Sequence, residues 1–290
     1  KNPRISVHHA SQVIGMDEHP GQALRKKKDA SVVVATSLVR DNRCDAVIAP
    51  GSTGAAVAAA LFGLGRIKGI DRPVIATPMP TVSGITVMLD SGANSNCKPK
   101  HLVQGALMGS EYAKLLLGKE NPTVGLLNIG EEATKGNDVV LATYPILEGM
   151  KTINFKGNIE GRDIPKGAVD VVVCDGFVGN VVLKFAEGLV TGLTQLVKDS
   201  IMAGSIFAKI GAMLVKPALK KMAKRLDHTE NGGAPLLGVN GVFMIAHGSS
   251  KAKEIKTAIE IASDLVERKI IQHIRETMDI EGALKYDYDE

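Results

Sequence analysis

Lys135-Gly136-Asn137, at the end of an apolar run, is the first place in this chain where side chain and backbone together suit chemistry. The run before it, Val124 to Ile129, is short, apolar and partly β-branched, as a strand buried on both faces would be. Gly130 frees the backbone and a helix is expected just beyond Asn137. A cation beside exposed N–H groups at a helix start suits an anion such as phosphate. Taken singly, the turn reads equally as an ordinary loop with a solvated lysine. It recurs, however, in several variants along the chain.

An apolar run over 46–49 ends in Pro50-Gly51-Ser52-Thr53-Gly54 before an alanine-rich helix. The run over 85–89 ends in Asp90-Ser91-Gly92-Ala93-Asn94, and Pro99 then opens a helix to about Leu117. Val169 to Val173 ends in Cys174-Asp175-Gly176-Phe177-Val178-Gly179-Asn180 and enters a helix carrying Lys184; Gly241 to Ala246 ends in His247-Gly248-Ser249-Ser250. Strands alternating with helices imply right-handed crossovers and a doubly wound, largely parallel α/β sheet, with ligands beyond the carboxyl ends of its strands. Ser52, Thr53, Asn94, Lys135, Asn137, Asn180, Ser249 and Ser250 are therefore expected in one cleft, with backbone donors at Gly130, Gly136 and Gly176.

The remaining pattern predicts a strand over 5–8, one helix over 22–42, an irregular proline-bearing stretch over 70–84 with a strand at 74–76, a helix over 138–148, a strand over 152–155 followed by a polar turn over 157–163, and a single C-terminal helix to about Thr277.

At 290 residues and 44% hydrophobic, the chain can bury a sizeable core, and 3% aromatics leave that core to aliphatic side chains. It is read as one α/β catalytic domain over 1–290. The net charge of +4 is modest, so acidic or phosphorylated partners fit and a nucleic-acid-binding stripe does not. Cys44, Cys97 and Cys174 form no metal or disulfide spacing, which agrees with a reducing cytoplasm. No uninterrupted apolar run reaches the roughly 18 residues of a membrane span.

One segment breaks the alternation. Ile206, Ile210 and Met213, with Phe207 and Leu214 beside them, and then Leu219 and Met222 beyond Pro217, make apolar stripes accompanied by lysines. The expectation is a protruding amphipathic hairpin over 198–228, hinged near Lys216-Pro217, that lies on an anionic membrane surface, or else packs into the core or against a second subunit.

Together the motifs resemble the bacterial phosphate acyltransferases of phospholipid synthesis. The blocks that carry the resemblance are R-I-K-G-I-D-R-P at 66–73, P-T-V-S-G at 80–84, L-D-S-G-A-N at 89–94, K-P-K-H-L-V-Q at 98–104, V-G-L-L-N-I-G at 124–130, K-G-N at 135–137, V-D-V-V-V-C-D-G-F-V-G-N at 169–180 and A-H-G-S-S at 246–250. The family's opening strand and D-A-M-G-G-D turn are absent from this sequence. Ser52 stands where the family is expected to carry asparagine, and Glu131 where it is expected to carry threonine or another small residue. The resemblance implies a fold like that of isocitrate and isopropylmalate dehydrogenases, a homodimer, and acyl transfer from acyl carrier protein to inorganic phosphate. It also implies hand-off of the acyl phosphate to a membrane glycerol-phosphate acyltransferase.

For such a reaction Lys135 and neighbouring N–H groups are expected to hold phosphate, Asn94 or Asn180 to donate to the oxyanion, and His247 to carry a proton or simply orient its loop. Lys184 is expected to pair with Glu187, Cys174 to pack, and Asp90 and Asp175 to cap turns; no metal or cofactor is expected. The alternatives are a nicotinamide-dependent dehydrogenase of the same fold, against which the chain lacks G-x-G-x-x-G, and a non-catalytic adaptor for carrier or membrane.

Overall fold

The computed structural model describes residues 2–226 and 232–283, with side chains over 2–222 and 232–280. Eight strands form one sheet in the order β1-β8-β7-β2-β3-β6-β4-β5, comprising β1 (Ala46–Pro50), β2 (Val74–Pro80), β3 (Ile85–Leu89), β4 (Thr123–Asn128), β5 (Asn154–Glu160), β6 (Val171–Val173), β7 (Ala234–Leu237) and β8 (Val242–Ala246). Around it lie α1 (Pro20–Lys26), α2 (Ser31–Arg40), α3 (Thr53–Gly63), α4 (Pro99–Leu117), α5 (Asp138–Gly149), α6 (Gly176–Ala203), α7 (Ile206–Leu226), α8 (Ala252–Glu267) and α9 (Ile270–Ala283).

Sheet direction decides where the loops go. β1 runs parallel to β8, and β3, β6, β4 and β5 are mutually parallel, but β7 is antiparallel to both β8 and β2, and β2 is antiparallel to β3. The β1–β8 half therefore points opposite to the β3–β5 half. Their carboxyl ends leave opposite edges of the sheet, whereas a wholly parallel sheet would have put them at one edge.

Helices cover both faces. On one, the buried Leu102, Val103, Ala106 and Met108 of α4 share a core with Leu89, Val171, Leu126 and, from α8, Ala262 and Leu265. On the other, α2 and α3 pack over β1 and β8 through Val39, Ala56, Ala60 and Phe243, while the first turns of α6 pack over Met88, Val172 and Cys174 through Val178, Val182 and Leu183.

Several local expectations need correction. Residues 5–8 form no strand and are exposed; the segment is tied down instead at an isolated bridge between Gln12 and Ala30. The helix expected over 22–42 is two, because the chain turns at Lys27–Ala30, where Asp29 accepts from the Ser11 backbone and hydroxyl. β2 is longer than expected because its prolines fall where the ladder tolerates them, and β5 runs on to Glu160 through what reads as a polar turn. The C-terminal helix breaks at Lys269, which takes φ 54°.

α7 continues through Pro217, and the bend lies at Gly204-Ser205, where Gly204 is extended; the hinge expected near Lys216-Pro217 is therefore displaced toward the N-terminus. Residues 227 and 228 of the expected hairpin lie outside the described residues.

Candidate functional site

A cleft of ≈ 2420 Å³ opens on the sheet face between α3 and α6. Ile75, Thr77 and Met79, alternate residues of β2, line it from that face. One wall is the β1 and β8 tips, through Gly51, Thr53, His247, Gly248 and Ser249; the other is Ser91 and Gly92 after β3, with Asn180 and Lys184 of α6. The opposed half-sheets thus meet across the cleft. Beyond the polar end the lining runs along α6 and α7, where the aliphatic Leu183, Leu193, Val197, Ile201, Met213 and Leu219 are interspersed with lysines, among them Lys198, Lys209, Lys216 and Lys220.

Asp90 fixes the β3 side. Its carboxylate, 2% exposed, accepts from the backbone N–H groups of Ile75, Gly92, Ala93 and Asn94 and from the Asn94 side chain. Burial pushes this carboxyl upward, and those donors oppose the push. The start of α6 docks against the same loop. Asp175 caps it by accepting from Phe177 and Val178 N–H, and a Cβ at Gly179 would overlap the Asp90 carbonyl oxygen. Asn180, on the first turn of α6, is consequently held at the cleft wall beside Gly92.

His247 has a defined hydrogen-bonding state. Its Nδ1 accepts from the Ser249 backbone N–H at 3.2 Å and lies 2.6 Å from the Ser249 hydroxyl. An accepting Nδ1 places the proton of the neutral ring on Nε2, so the imidazole can present a donor.

Residues 1–273 match the family described as Fatty acid synthesis protein. Over 276 residues the chain is 55% identical to the phosphate acyltransferase of Desulfitobacterium hafniense, covering 95% of this chain and 82% of that protein. Over 273 residues it is 57% identical to the phosphate acyltransferase of Heliobacterium modesticaldum, covering 94% and 81%. The chain belongs to the phosphate acyltransferase family. Among solved structures it is similar to the EutD phosphotransacetylase of Staphylococcus aureus, with TM-score 0.57 and 14% identity over 84% of this chain and 70% of that one. A phosphotransacetylase from Streptococcus pyogenes gives TM-score 0.52 and 16% identity over 89% and 70%. These two likenesses concern the fold.

Against this family frame, the residues singled out from the sequence separate into groups. Thr53, Asn180, His247 and Ser249 line the cleft. Asn94 is unavailable to an oxyanion, because its Nδ2 donates to Pro73 O at 2.7 Å and to Asp90 at 2.8 Å. Gly176 is also committed, its N–H going to Asn94 O at 2.7 Å. Ser52 and Asn137 are helix N-caps, accepting from Ala55 and Val140 N–H. Ser250 gives its N–H to His247 O.

Lys135, with Gly130 and Gly136, stands outside the cleft lining, on the turn after β4. β4 adjoins β6, so this turn neighbours the one bearing Asn180; Lys135 is exposed, and no salt bridge engages it among the described residues. Lys184 pairs with Glu187 at 2.9 Å. Cys174 is a buried thiol, pushed far up by burial and by the nearby Asp90 and Asp175 carboxylates, so it is no ready nucleophile. Thr77 and Ser91, whose hydroxyls lie 2.6 Å apart in the lining, were missed. Only the L-D-S-G run points to Ser91, and nothing points to Thr77, because the strand expected at 74–76 stops short of it, whereas β2 continues and pairs Thr77 with Met88 of β3.

Proposed function

We propose that this cleft moves a fatty acyl group from the thioester of acyl carrier protein to inorganic phosphate. Acyl transfer to phosphate is the activity of the family to which the chain belongs. The observation that carries the finer reading is the polarity of the cleft: hydrogen-bonding groups at the sheet end, Asn180, His247, Thr53 and Ser249, open onto a mainly aliphatic lining from α6 and α7 with lysines interspersed. An acyl phosphate has that same division between a polar head and an apolar chain.

In this reading Lys135 extends its amine from the β4 tip to hold phosphate against the carbonyl. A phosphate oxygen attacks the thioester carbon, the Asn180 amide donates to the resulting oxyanion, and the C–S bond breaks to release the carrier thiolate. In this reading the Nε2–H of His247 donates to phosphate or to the departing sulfur. No enzyme nucleophile is required, which suits a site whose cysteine is buried and held as a thiol. Asn180→Ala is expected to lower kcat for phosphate-dependent thiol release about a hundredfold, the cost of one oxyanion donor. An enzyme that keeps more than a tenth of its rate removes Asn180 from the mechanism.

The α6–α7 arm supplies the partners. Ile206, Phe207, Met213 and Leu214 are 65, 81, 65 and 78% exposed, amid lysines, which suits contact with an anionic membrane and delivery of acyl phosphate to a membrane glycerol-phosphate acyltransferase. Ile210 is also exposed, whereas Leu219 lines the cleft; Met213 and Met222 line it too while staying more than half exposed. By length and composition α6 could cross a membrane, yet its first turn is fastened to the Asp90 loop, so the association proposed is peripheral. Nearer the site, Phe177, Val181 and Phe185 form an exposed stripe at i, i+4 and i+8 of α6 suited to a second copy, hence a homodimer.

A further inference from the structure

The turn after β4 is fastened on both sides of Lys135 by two asparagines. Asn128, the last residue of β4, donates from Nδ2 to the Lys135 carbonyl at 2.8 Å and accepts the Ile129 N–H at 2.8 Å. The Lys135 N–H goes to the Glu132 carbonyl at 3.1 Å, and that carbonyl also accepts Nδ2 of Asn158 on the adjoining β5, at 2.9 Å. Both backbone groups of Lys135 are thereby tied to the sheet, one directly and one through Glu132. Its side chain alone projects, exposed. Gly136 follows at φ 114°, and a Cβ there would press on Asn128 Oδ1 at 2.7 Å, so the fit of turn to asparagine is close.

Asn158 is an awkward residue for packing. It is 6% exposed, and its Oδ1 finds no hydrogen-bond partner among the described residues. A buried amide with half its capacity unmet stabilises a strand less well than an apolar side chain of similar size would. Its one satisfied bond is to the turn. Such departures from good packing tend to sit where a fold serves a site.

We propose that Asn158 and Asn128 are positioning residues for phosphate capture: they hold the backbone of Lys135 so that its amine is presented to phosphate with little rearrangement. The proposal rests on the reading of Lys135 given above. Neither asparagine touches substrate; both act through Lys135, so their loss should weaken phosphate use and leave the acyl donor unaffected.

Steady-state kinetics with acyl carrier thioester and varied phosphate test this, alongside amide exchange at Lys135. Asn158→Ala and Asn128→Ala are each expected to raise KM for phosphate about tenfold and to speed exchange of the Lys135 N–H, with KM for the acyl carrier within about twofold. Asn154→Ala is the control, on the same strand but donating to Asn121 O at 3.2 Å, and should change neither. If Lys135→Ala leaves phosphate KM unchanged, the reading of Lys135 is wrong. If Lys135→Ala is defective while folded Asn158→Ala and Asn128→Ala enzymes keep the parent phosphate KM, the positioning role alone is wrong. Equal rises in both KM values would likewise overturn it, as general damage. Should one asparagine variant fail to fold, the other decides.

Discussion

Oδ2 of Asp90 accepts two hydrogen bonds from one residue, the backbone N–H of Asn94 and its side-chain amide, each at 2.8 Å. That pairing closes the loop into a knot, so the oxyanion donor we propose is Asn180 and not Asn94. Asp90→Ala strands four backbone N–H groups and the Asn94 amide, so it should destabilise the fold by about 3 kcal/mol or more. Denaturant titration checks this; a loss under about 1 kcal/mol would show that the knot contributes little.

Gly179 is where α6 meets that knot. Gly179→Ala places a methyl on the Asp90 carbonyl oxygen, forcing the first turn of α6 outward at a cost of about 1–3 kcal/mol. Activity should fall further than stability, since Asn180 moves with the turn. Thermal melting and turnover measured on the same preparation separate the two effects.

A pH-dependent contribution is expected at Asp170. Burial alone would raise its pKa, but hydrogen bonds from Lys119 and from the Thr123 backbone and hydroxyl prevail and hold the carboxyl below its ordinary range. A depressed folded pKa means stability present above the unfolded value, near pH 4, and lost as pH falls through the lower folded value. Asp170→Asn should therefore cost about 1–2 kcal/mol at pH 7, with the gap from the parent narrowing below about pH 4. Urea midpoints across pH would show it; a gap that widens in acid contradicts the assignment.

The arm offers a separable test. Ile206→Asp combined with Phe207→Asp, both outside the cleft lining, should abolish flotation with anionic liposomes while leaving turnover of soluble acyl carrier thioester within about twofold. Undiminished flotation of the folded variant would end the membrane reading.

The sequence carried the alternation of strands and helices well, because 85–89, 99–117 and 138–148 each had an unambiguous period or a proline start. It could not carry sheet direction. β7 is four residues, Ala234–Leu237, with a proline and no alternation; antiparallel to both β8 and β2, it leaves those two running the same way, and the antiparallel pairing of β2 with β3 then reverses the β3–β5 half. The site suffered accordingly. Asn180, His247 and Thr53 were legible as turn residues, but the saturation of Asn94 and Gly176 depends on a buried Asp90 and on Pro73, 21 residues away in sequence. Asn158 reads as part of a polar turn, since Gly157, Glu160, Gly161, Arg162 and Asp163 around it mask a strand.

The most direct measurement mixes purified protein with acyl carrier thioester and isotopically labelled phosphate, then traps product with hydroxylamine. Labelled acyl phosphate, recovered as hydroxamate in equal amount to the thiol released and only when phosphate is present, is the predicted result. Thiol release that proceeds without phosphate, or phosphate binding with no acyl phosphate formed, would contradict the account.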